Sequence, residues 1–312
     1  MTKAFLFPGQ GSQYVGMGAD LYQHYPAVRR VFNRADEVLG FPLSRLCFEG
    51  PKEELQKTVN TQPAVLAMSV ACAEVMRDKG IQPDVLAGHS LGEYTALVIA
   101  KAFSFEDALL LVRRRGQLMQ EAVPLGTGGM VAILGLDQET VVGIAAEAGR
   151  IGVINPANFN CPGQVVLAGE MRALEEAVGL AKRAGAKRCV PLAVSGPFHS
   201  SLMRGAGERL AQALDAVQIR NPAIPVVANV NGAFLRKADE VRAALVRQIY
   251  SPVRWEEGMR CLVEMGVGVF VEVGPGKVLS GLMKKIFTDG SVLNVEDGAS
   301  LQKLLARLEE VG

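Results

Sequence analysis

The chain has 312 residues, of which 49% are hydrophobic, and its formal net charge at pH 7 is +1. This length allows one large domain or a large domain with a smaller companion. The nearly neutral charge gives no electrostatic reason to expect nucleic acid or an anionic membrane as a partner, so both classes of partner are excluded from the prediction.

The N-terminal segment and the cysteines favour a cytoplasmic protein. The first apolar run stops at Pro8, which is too short for a secretory signal, and no apolar stretch reaches transmembrane length. The five cysteines are odd in number and scattered, and none has C-x-x-C spacing. We therefore expect no disulfide framework, no metal site and a reducing compartment.

The first part of the chain alternates between strands and helices. Such alternation predicts a mostly parallel sheet with helices on its faces. The predicted elements are a strand at 3–7, a helix from Pro63 to a stop at Gly80, a strand at 84–90, a helix at 91–100 and a helix from Ser104 to Gln120.

From about residue 125 the order of elements changes to β-α-β-β-α-β, which is typical of a ferredoxin-like unit. We predict an α/β fold in which residues 125–195 form an inserted ferredoxin-like subdomain. Residues 1–124 and 196–312 then form the large, hydrolase-like catalytic domain. The six elements of the insert are predicted at 129–136, 137–149, 151–159, 164–170, 171–185 and 186–194.

Residues 88–94, GHSLGEY, have the G-x-S-x-G form of a nucleophile elbow with Ser90 at its centre. In such an elbow the serine lies on a strained turn between a strand and a helix, and glycines two residues away avoid crowding. The backbone N–H of Leu91 would then face a developing oxyanion at the start of the helix. The alternative is an ordinary strand–helix turn with a capping serine.

A serine needs a base to become a nucleophile, and the chain has only three histidines. His24 lies in an early helical stretch, and His89 is adjacent to the serine, so its side chain should point away and pack beneath the elbow. His199 follows the predicted insert, where a loop can lie over the carboxyl ends of the strands. We predict His199 as the base, with a packing role as its alternative. No carboxylate between Ser90 and His199 ends a core strand, which favours a Ser–His dyad.

Arg115 shares a helical stripe with Ala108, Val112 and Met119, so it is predicted to point inward. A buried guanidinium must be paired, because an isolated buried charge is costly. The partner is either the carboxylate of a substrate or a distant acidic side chain of the protein. Both alternatives are open at this point.

The glycine loop at residues 8–16 follows a strand but departs from G-x-G-x-x-G, because Tyr14 occupies the third glycine position. Dinucleotide binding is therefore disfavoured. The loop could instead present the Gln10 backbone N–H as a second oxyanion donor.

Taken together, these motifs resemble the malonyl-CoA:acyl carrier protein transacylases of bacterial fatty-acid synthesis. The resemblance extends over nearly the whole chain. It is carried by FPGQGSQ (7–13), TQPA (61–64), GHSLGEY (88–94), RG (115–116), NFNCPGQ (158–164), PFHS (197–200), LVRQIYSPVRW (245–255) and EVGPGKVL (272–279).

The resemblance implies roles for particular residues of this chain. Ser90 would be the nucleophile and His199 its base, oriented by the backbone carbonyl of Gln248. Gln10 and Leu91 would donate the oxyanion-hole N–H groups, and Arg115 would bind the malonyl carboxylate. Phe198 would leave little room for an α-methyl group, and Gln62 and Asn160 would line the acyl or pantetheine channel.

The activity implied is the transfer of a malonyl group from malonyl-CoA to acyl carrier protein through a malonyl-serine, by a monomer that needs no cofactor. Three alternatives remain open: a serine esterase or thioesterase, a catalytically silent docking module, and a polyketide-type acyltransferase for another acyl unit such as methylmalonyl. Arg115 argues against hydrolysis of neutral esters, and Phe198 argues against methylmalonyl.

Overall fold

Two β-sheets organise the chain in the computed structural model, which describes residues 2–124 and 126–311 but no side chain beyond residue 308. The predicted domain limits at residues 1, 125 and 312 lie outside this range and stay predictions, as does the limit at 195. The strands are β1 Lys3–Phe7, β2 Val85–Gly88, β3 Gly128–Leu134, β4 Ile154–Cys161, β5 Gln164–Glu170, β6 Arg188–Pro191, β7 Val226–Val227, β8 Phe234–Leu235, β9 Val269–Val273 and β10 Ser291–Val295.

Helices occupy most of the intervening chain. None of the described helices combines the length and apolar character that crossing a membrane requires. They are α1 Ala19–His24, α2 Pro26–Leu39, α3 Leu43–Glu49, α4 Lys52–Gln56, α5 Thr58–Asp78, α6 Leu91–Ile99, α7 Phe105–Glu121, α8 Gln138–Ala148, α9 Met171–Arg183, α10 Arg204–Asp215, α11 Ala238–Gln248, α12 Trp255–Glu264, α13 Val278–Ile286 and α14 Gly298–Val311.

The larger sheet confirms the predicted, mostly parallel core. Its strands run in the order β10-β9-β1-β2-β7-β8 within the described chain, and only β7 and β8 pair antiparallel. The chain first adds β2 to one side of β1 and later returns to add β9 to the other side. In open α/β sheets such a reversal leaves a crevice at the carboxyl ends of the strands, where ligands bind.

The smaller sheet is antiparallel, with the order β4-β5-β3-β6, and it carries α8 and α9. This is the predicted ferredoxin-like arrangement. Successive side chains of β3 point to opposite faces of the small sheet. Val131 and Ile133 pack with α8 and α9, whereas Met130 and Ala132 belong to the core of the larger sheet. One face of the small sheet is therefore covered by α8 and α9, and the other packs on the core of the larger domain.

The prediction that a helix begins at Pro63 is wrong, because α5 begins at Thr58 and contains the proline. The Lys57 carbonyl accepts hydrogen bonds from the N–H groups of Asn60 and Thr61, which builds a turn before the proline. A proline removes the one intrahelical bond that its own N–H would donate, and the surrounding bonds keep the helix intact. As a result Gln62 lies on α5, fully buried.

Candidate active site

Ser90 lies at the sharp turn between β2 and α6. Its φ of 52° falls in the left-handed region that residues with a side chain rarely adopt. A Cβ added to Gly88 would lie 1.9 Å from the Gly92 carbonyl carbon, and one added to Gly92 would lie 2.0 Å from the Phe7 carbonyl oxygen. Both glycines are therefore required by close contact, as in a nucleophile elbow.

Asn229, just after β7, joins the two sides of this turn. Its Oδ1 accepts a hydrogen bond from the Ser90 N–H at 2.6 Å, and its Nδ2 donates to the Gly88 carbonyl at 2.7 Å. The side chain is buried, so these bonds are shielded from water. Asn229 was not among the predicted site residues, although a polar side chain just after the two valines of β7 was an available signal.

His199 lies in the loop that follows the small subdomain along the chain, and it contacts Ser90. Its Nε2 lies 2.7 Å from Ser90 Oγ, and its Nδ1 lies 2.8 Å from the backbone oxygen of Gln248. Because a carbonyl can only accept, Nδ1 carries the hydrogen and Nε2 is left to accept the proton of the serine hydroxyl. The carbonyl of Gln248 thus occupies the place that a carboxylate has in many hydrolases.

The environment keeps His199 neutral. Burial, followed by the charge of Arg115, lowers the pKa of His199 from 6.5 to about 3. The imidazole is therefore uncharged near neutral pH and able to accept a proton.

Arg115 brings a positive charge to the serine. It is 1% exposed, and its Nη2 donates to Ser90 Oγ at 3.1 Å and to Gln248 Oε1 at 3.0 Å, while Nη1 donates to Gln62 Oε1 at 3.0 Å. Its guanidinium also lies 5.3 Å from the ring centroid of Tyr94. In the described part of the chain Arg115 forms no direct salt bridge, so the alternative of an internal ion pair is wrong, and the carboxylate that interacts with it electrostatically, Glu93, is separated from it by the side chain of Gln248.

The buried charge of Arg115 is therefore only partly compensated. Its hydrogen-bond acceptors are neutral oxygens, and transfer of an unpaired charge out of water is costly. The arrangement suits an incoming anion. Gly116 allows α5 and α7 to cross closely, because a Cβ at this position would lie 2.9 Å from the Thr58 carbonyl oxygen. This close crossing brings Gln62 on α5 within reach of Arg115 on α7.

Gln10 and Leu91 lie on the two segments that meet at the elbow. Leu91 is the first residue of α6, where backbone N–H groups have no acceptor within the helix. Gln10 follows β1, in a loop so close to the elbow that a Cβ on Gly9 would lie 2.6 Å from the His89 carbonyl oxygen. Donation by both backbone N–H groups to a reacting oxyanion stays a prediction.

A cavity of about 200 Å³ opens beside this loop. His89 and Asn160 line it, and His89 Nε2 lies 2.8 Å from Asn160 Oδ1. His89 also stacks at a tilt on Trp255, with ring centroids 5.5 Å apart. His89 thus packs beneath the elbow as predicted, and Asn160 orients it from the small sheet.

Phe198 belongs to a tight turn that presents His199. Its N–H donates to the Gly196 carbonyl at 3.0 Å, and the Ser200 hydroxyl donates to the Pro197 carbonyl at 2.6 Å. The phenyl ring is buried and would lie 3.3 Å from a Cβ placed on Gly196. Its part in choosing between acyl groups stays a prediction.

Glu93 is a second buried polar residue that sequence analysis missed. Its Oε2 accepts hydrogen bonds from the Asn229 N–H at 2.9 Å and from Gln248 Nε2 at 3.0 Å. Burial raises the pKa of Glu93 to about 7. A charged residue in an otherwise apolar helix after the elbow was the available signal.

No cluster of three or more metal-ligating side chains occurs in the part of the chain that the structure describes. The five cysteines are unpaired thiols. The structure brings together a hydroxyl, an imidazole and a guanidinium at the elbow.

Comparison with known proteins adds to this geometry. Residues 4–306 match the model of the family described as acyl transferase domain. Two similar relatives are the malonyl CoA-acyl carrier protein transacylases of Bacillus subtilis (49% identical, 98% of this chain and 97% of the relative) and Haemophilus influenzae (52%, 95% and 96%). A malonyl-transacylase solved in complex with its type II PKS acyl-carrier protein is 49% identical with a TM-score of 0.96, covering 98% of this chain and 100% of its own.

Proposed function

Because this chain belongs to the acyl transferase domain family and, within it, to the malonyl CoA-acyl carrier protein transacylases, we propose that it transfers malonyl groups from coenzyme A to an acyl carrier protein. The acceptor is the phosphopantetheine thiol of that protein. One observation carries the proposal: a buried guanidinium without a carboxylate partner lies 3.1 Å from a serine hydroxyl that contacts a neutral imidazole.

In the first half-reaction Ser90 is acylated. His199 Nε2 takes the hydroxyl proton while Ser90 Oγ attacks the thioester carbonyl of malonyl-CoA. The backbone N–H groups of Leu91 and Gln10 stabilise the tetrahedral oxyanion, and loss of one such donor costs about 2.7–4 kcal/mol. The C–S bond then breaks, the imidazolium protonates the departing thiolate, and a malonyl-serine ester remains.

In the second half-reaction the carrier replaces coenzyme A. The phosphopantetheine thiol gives its proton to His199 and attacks the ester carbonyl. The bond to Ser90 Oγ breaks, and Oγ recovers the proton from the imidazolium. The Gln248 carbonyl stabilises the imidazolium in both steps because it accepts from Nδ1–H.

Arg115 supplies the preference for an acid-tailed acyl group. In a malonyl-serine the free carboxylate is separated from the ester carbonyl by one methylene, so it lies close to the guanidinium that contacts Ser90 Oγ. A bidentate ion pair there compensates a charge that the protein leaves without a carboxylate. Gln62 fixes the guanidinium from α5, and Phe198 limits the space for a branched acyl group.

The wider setting is part of the same proposal. Malonyl transfer of this kind supplies fatty-acid synthesis, and we place the protein in the cytoplasm as a monomer without cofactor. The scattered, unpaired cysteines support a reducing compartment, and the nearly neutral charge disfavours nucleic acid and anionic membranes. Neither nucleic acid nor membrane is a proposed partner. Asn160 and the cavity beside His89 are proposed to receive the pantetheine arm.

Intact-protein mass spectrometry tests the proposal. After incubation with malonyl-CoA, the protein should gain the mass of one malonyl group, and Ser90→Ala should gain none. Addition of phosphopantetheinylated acyl carrier protein should discharge the label and transfer it to the carrier.

The same experiment separates the alternatives. Release of free malonate without a carrier would indicate a thioesterase, and no label on wild-type protein would indicate a docking module. More rapid labelling from methylmalonyl-CoA than from malonyl-CoA would indicate an acyltransferase for another unit.

A further inference from the structure

The side-chain amide of Gln248 joins two parts of the site. Its Oε1 accepts a hydrogen bond from Arg115 Nη2 at 3.0 Å, and its Nε2 donates to the Ser90 carbonyl at 2.9 Å. The side chain is completely buried, so water does not replace either contact. Only one of the two orientations of the amide serves Arg115, because a rotated amide would direct its NH₂ group at the guanidinium.

Glu93 selects that orientation together with the Ser90 carbonyl, because both accept from the NH₂ group of Gln248. Its Oε2 lies 3.0 Å from Gln248 Nε2, and it also accepts from the backbone N–H of Asn229. An ionised carboxylate can only accept hydrogen bonds, so the group of Gln248 that faces it must be the NH₂ group. The oxygen of the amide is thereby left facing Arg115.

We propose that Glu93 is a positioning residue of the transfer reaction, acting through the Gln248 side chain to orient the guanidinium that binds the acyl carboxylate. The inference rests on the proposed function, since it concerns Arg115 as the carboxylate-binding group. It gives Gln248 two separate tasks: its backbone carbonyl orients His199, and its side chain orients Arg115.

The cost of burying Glu93 supports a functional reason for its presence. Within the described chain its Oε1 has no hydrogen-bond partner, although the residue is fully buried. An incompletely paired carboxylate in such a place destabilises the fold. The orientation also survives protonation, because a proton on Oε1 leaves Oε2 as an acceptor even though the pKa of Glu93 is raised to about 7.

The test is a double-mutant cycle with Glu93→Gln and Gln248→Ala. A glutamine at position 93 keeps the volume, but it can donate or accept, so only the Ser90 carbonyl then favours the orientation of Gln248 that serves Arg115. Alanine at position 248 removes the amide and keeps the backbone carbonyl that His199 uses. Transfer to the carrier is measured with malonyl-CoA and acetyl-CoA for both single variants and for the double variant.

We expect each single variant to raise the KM for malonyl-CoA about tenfold, with kcat less affected. A factor of this size corresponds to the free energy of about one charged hydrogen bond. Acetyl transfer, whose acyl group has no carboxylate for Arg115 to bind, should show a smaller rise in KM than malonyl transfer does in each variant. The double variant should be no worse than Gln248→Ala alone, because both changes remove the same contact.

Glu256→Gln is the matched control, since it neutralises another buried carboxylate, on α12, that pairs with Arg260. Its malonyl KM should equal that of wild type, and thermal unfolding of all variants checks the fold. A wild-type malonyl KM in Glu93→Gln, or effects that add in the double variant, would overturn the inference. Failure of the wild-type protein to acquire a malonyl label would instead contradict the proposed function.

Discussion

Arg115 is a single charged residue in an apolar helical stripe, and its contacts show why it is there. The three side chains that share its stripe are buried, and so is Arg115. Its partners are two amide oxygens and the serine hydroxyl, so the protein positions the guanidinium without neutralising it. Under the proposed function, this one charge and its orientation select the acyl group.

Replacement of this charge should separate two substrates. Arg115→Ala should lower kcat/KM for malonyl transfer by about 100-fold or more, because two charged hydrogen bonds of roughly 1.5–3 kcal/mol each are lost. Acetyl transfer should survive or improve. Steady-state assays with both acyl-CoAs measure the ratio, and Arg115→Lys, which keeps the charge without the planar fork, should fall between. Equal losses with both substrates would contradict a carboxylate clamp.

Phe198 offers a second test at a residue of this site. If the ring of Phe198 limits the acyl site as proposed, Phe198→Ser should raise the share of methylmalonyl transferred when malonyl-CoA and methylmalonyl-CoA compete, because the smaller side chain leaves room for an α-methyl group. Phe198→Leu keeps most of the volume and should retain the preference for malonyl. An unchanged product ratio in a folded Phe198→Ser protein would refute the steric explanation.

The elbow is a property of three packed elements, β1, β2 and α6. The carboxyl end of β1 lies against the first turn of α6, and Gly92 is the point of contact. The strained φ of Ser90 persists because this packing and the two hydrogen bonds of Asn229 hold the turn from both sides.

A pair of helical glycines tests the packing of the elbow. Gly92→Ala should lower the unfolding temperature and abolish acylation of Ser90, because its Cβ would lie 2.0 Å from a backbone oxygen. Gly143, in α8, has nothing within 4 Å of the same position. Gly143→Ala should therefore stabilise the protein by about 0.5–1 kcal/mol and leave activity unchanged. Calorimetry and the mass assay measure both outcomes, and tolerance of alanine at position 92 would refute the close contact.

At the scale of the whole molecule, the site is assembled from segments that are distant in the chain. Ser90 and His199 are separated by 109 residues, and the entire smaller sheet lies between them in sequence. Gln248 contributes from the end of α11. Folding must therefore bury His199 in its neutral form, which links global stability to pH.

The sign of this linkage can be worked out from the pKa of His199, which is about 3 in the folded protein and 6.5 ordinarily. Between these pH values the unfolded chain binds more protons than the folded chain. The contribution of His199 to the free energy of unfolding is therefore fully present above pH 6.5 and falls as the pH decreases toward 3. When the pH is lowered from 7 to 5, the free energy of unfolding of the wild-type protein should fall by about 2 kcal/mol more than that of His199→Gln.

Chemical denaturation of both proteins at the two pH values measures this difference. The two proteins share all other titrating groups, so the contributions of those groups cancel to first order when the two losses are subtracted. Parallel losses in wild type and His199→Gln would show that the histidine is not buried in its neutral form.

Local patterns were enough for most of the fold. The alternation of elements predicts the parallel sheet, the β-α-β-β-α-β order predicts the smaller sheet, and glycine spacing predicts the turn at Ser90. The start of α5 was misjudged because proline was treated as a helix start, whereas the Lys57 carbonyl extends the helix upstream. Neighbouring bonds along the chain thus outweigh the preference of one residue.

The contacts of Asn229, Glu93 and the Gln248 side chain could not be read from the chain, since each joins segments more than 18 residues apart. Hydrophobic periodicity reports which face of an element is buried, and it therefore indicated the inward position of Arg115. It does not report which polar groups meet across that interior, because hydrogen-bond partners depend on how sheets and helices pack in three dimensions. Packing alone determined that the buried guanidinium faces neutral oxygens and a serine hydroxyl.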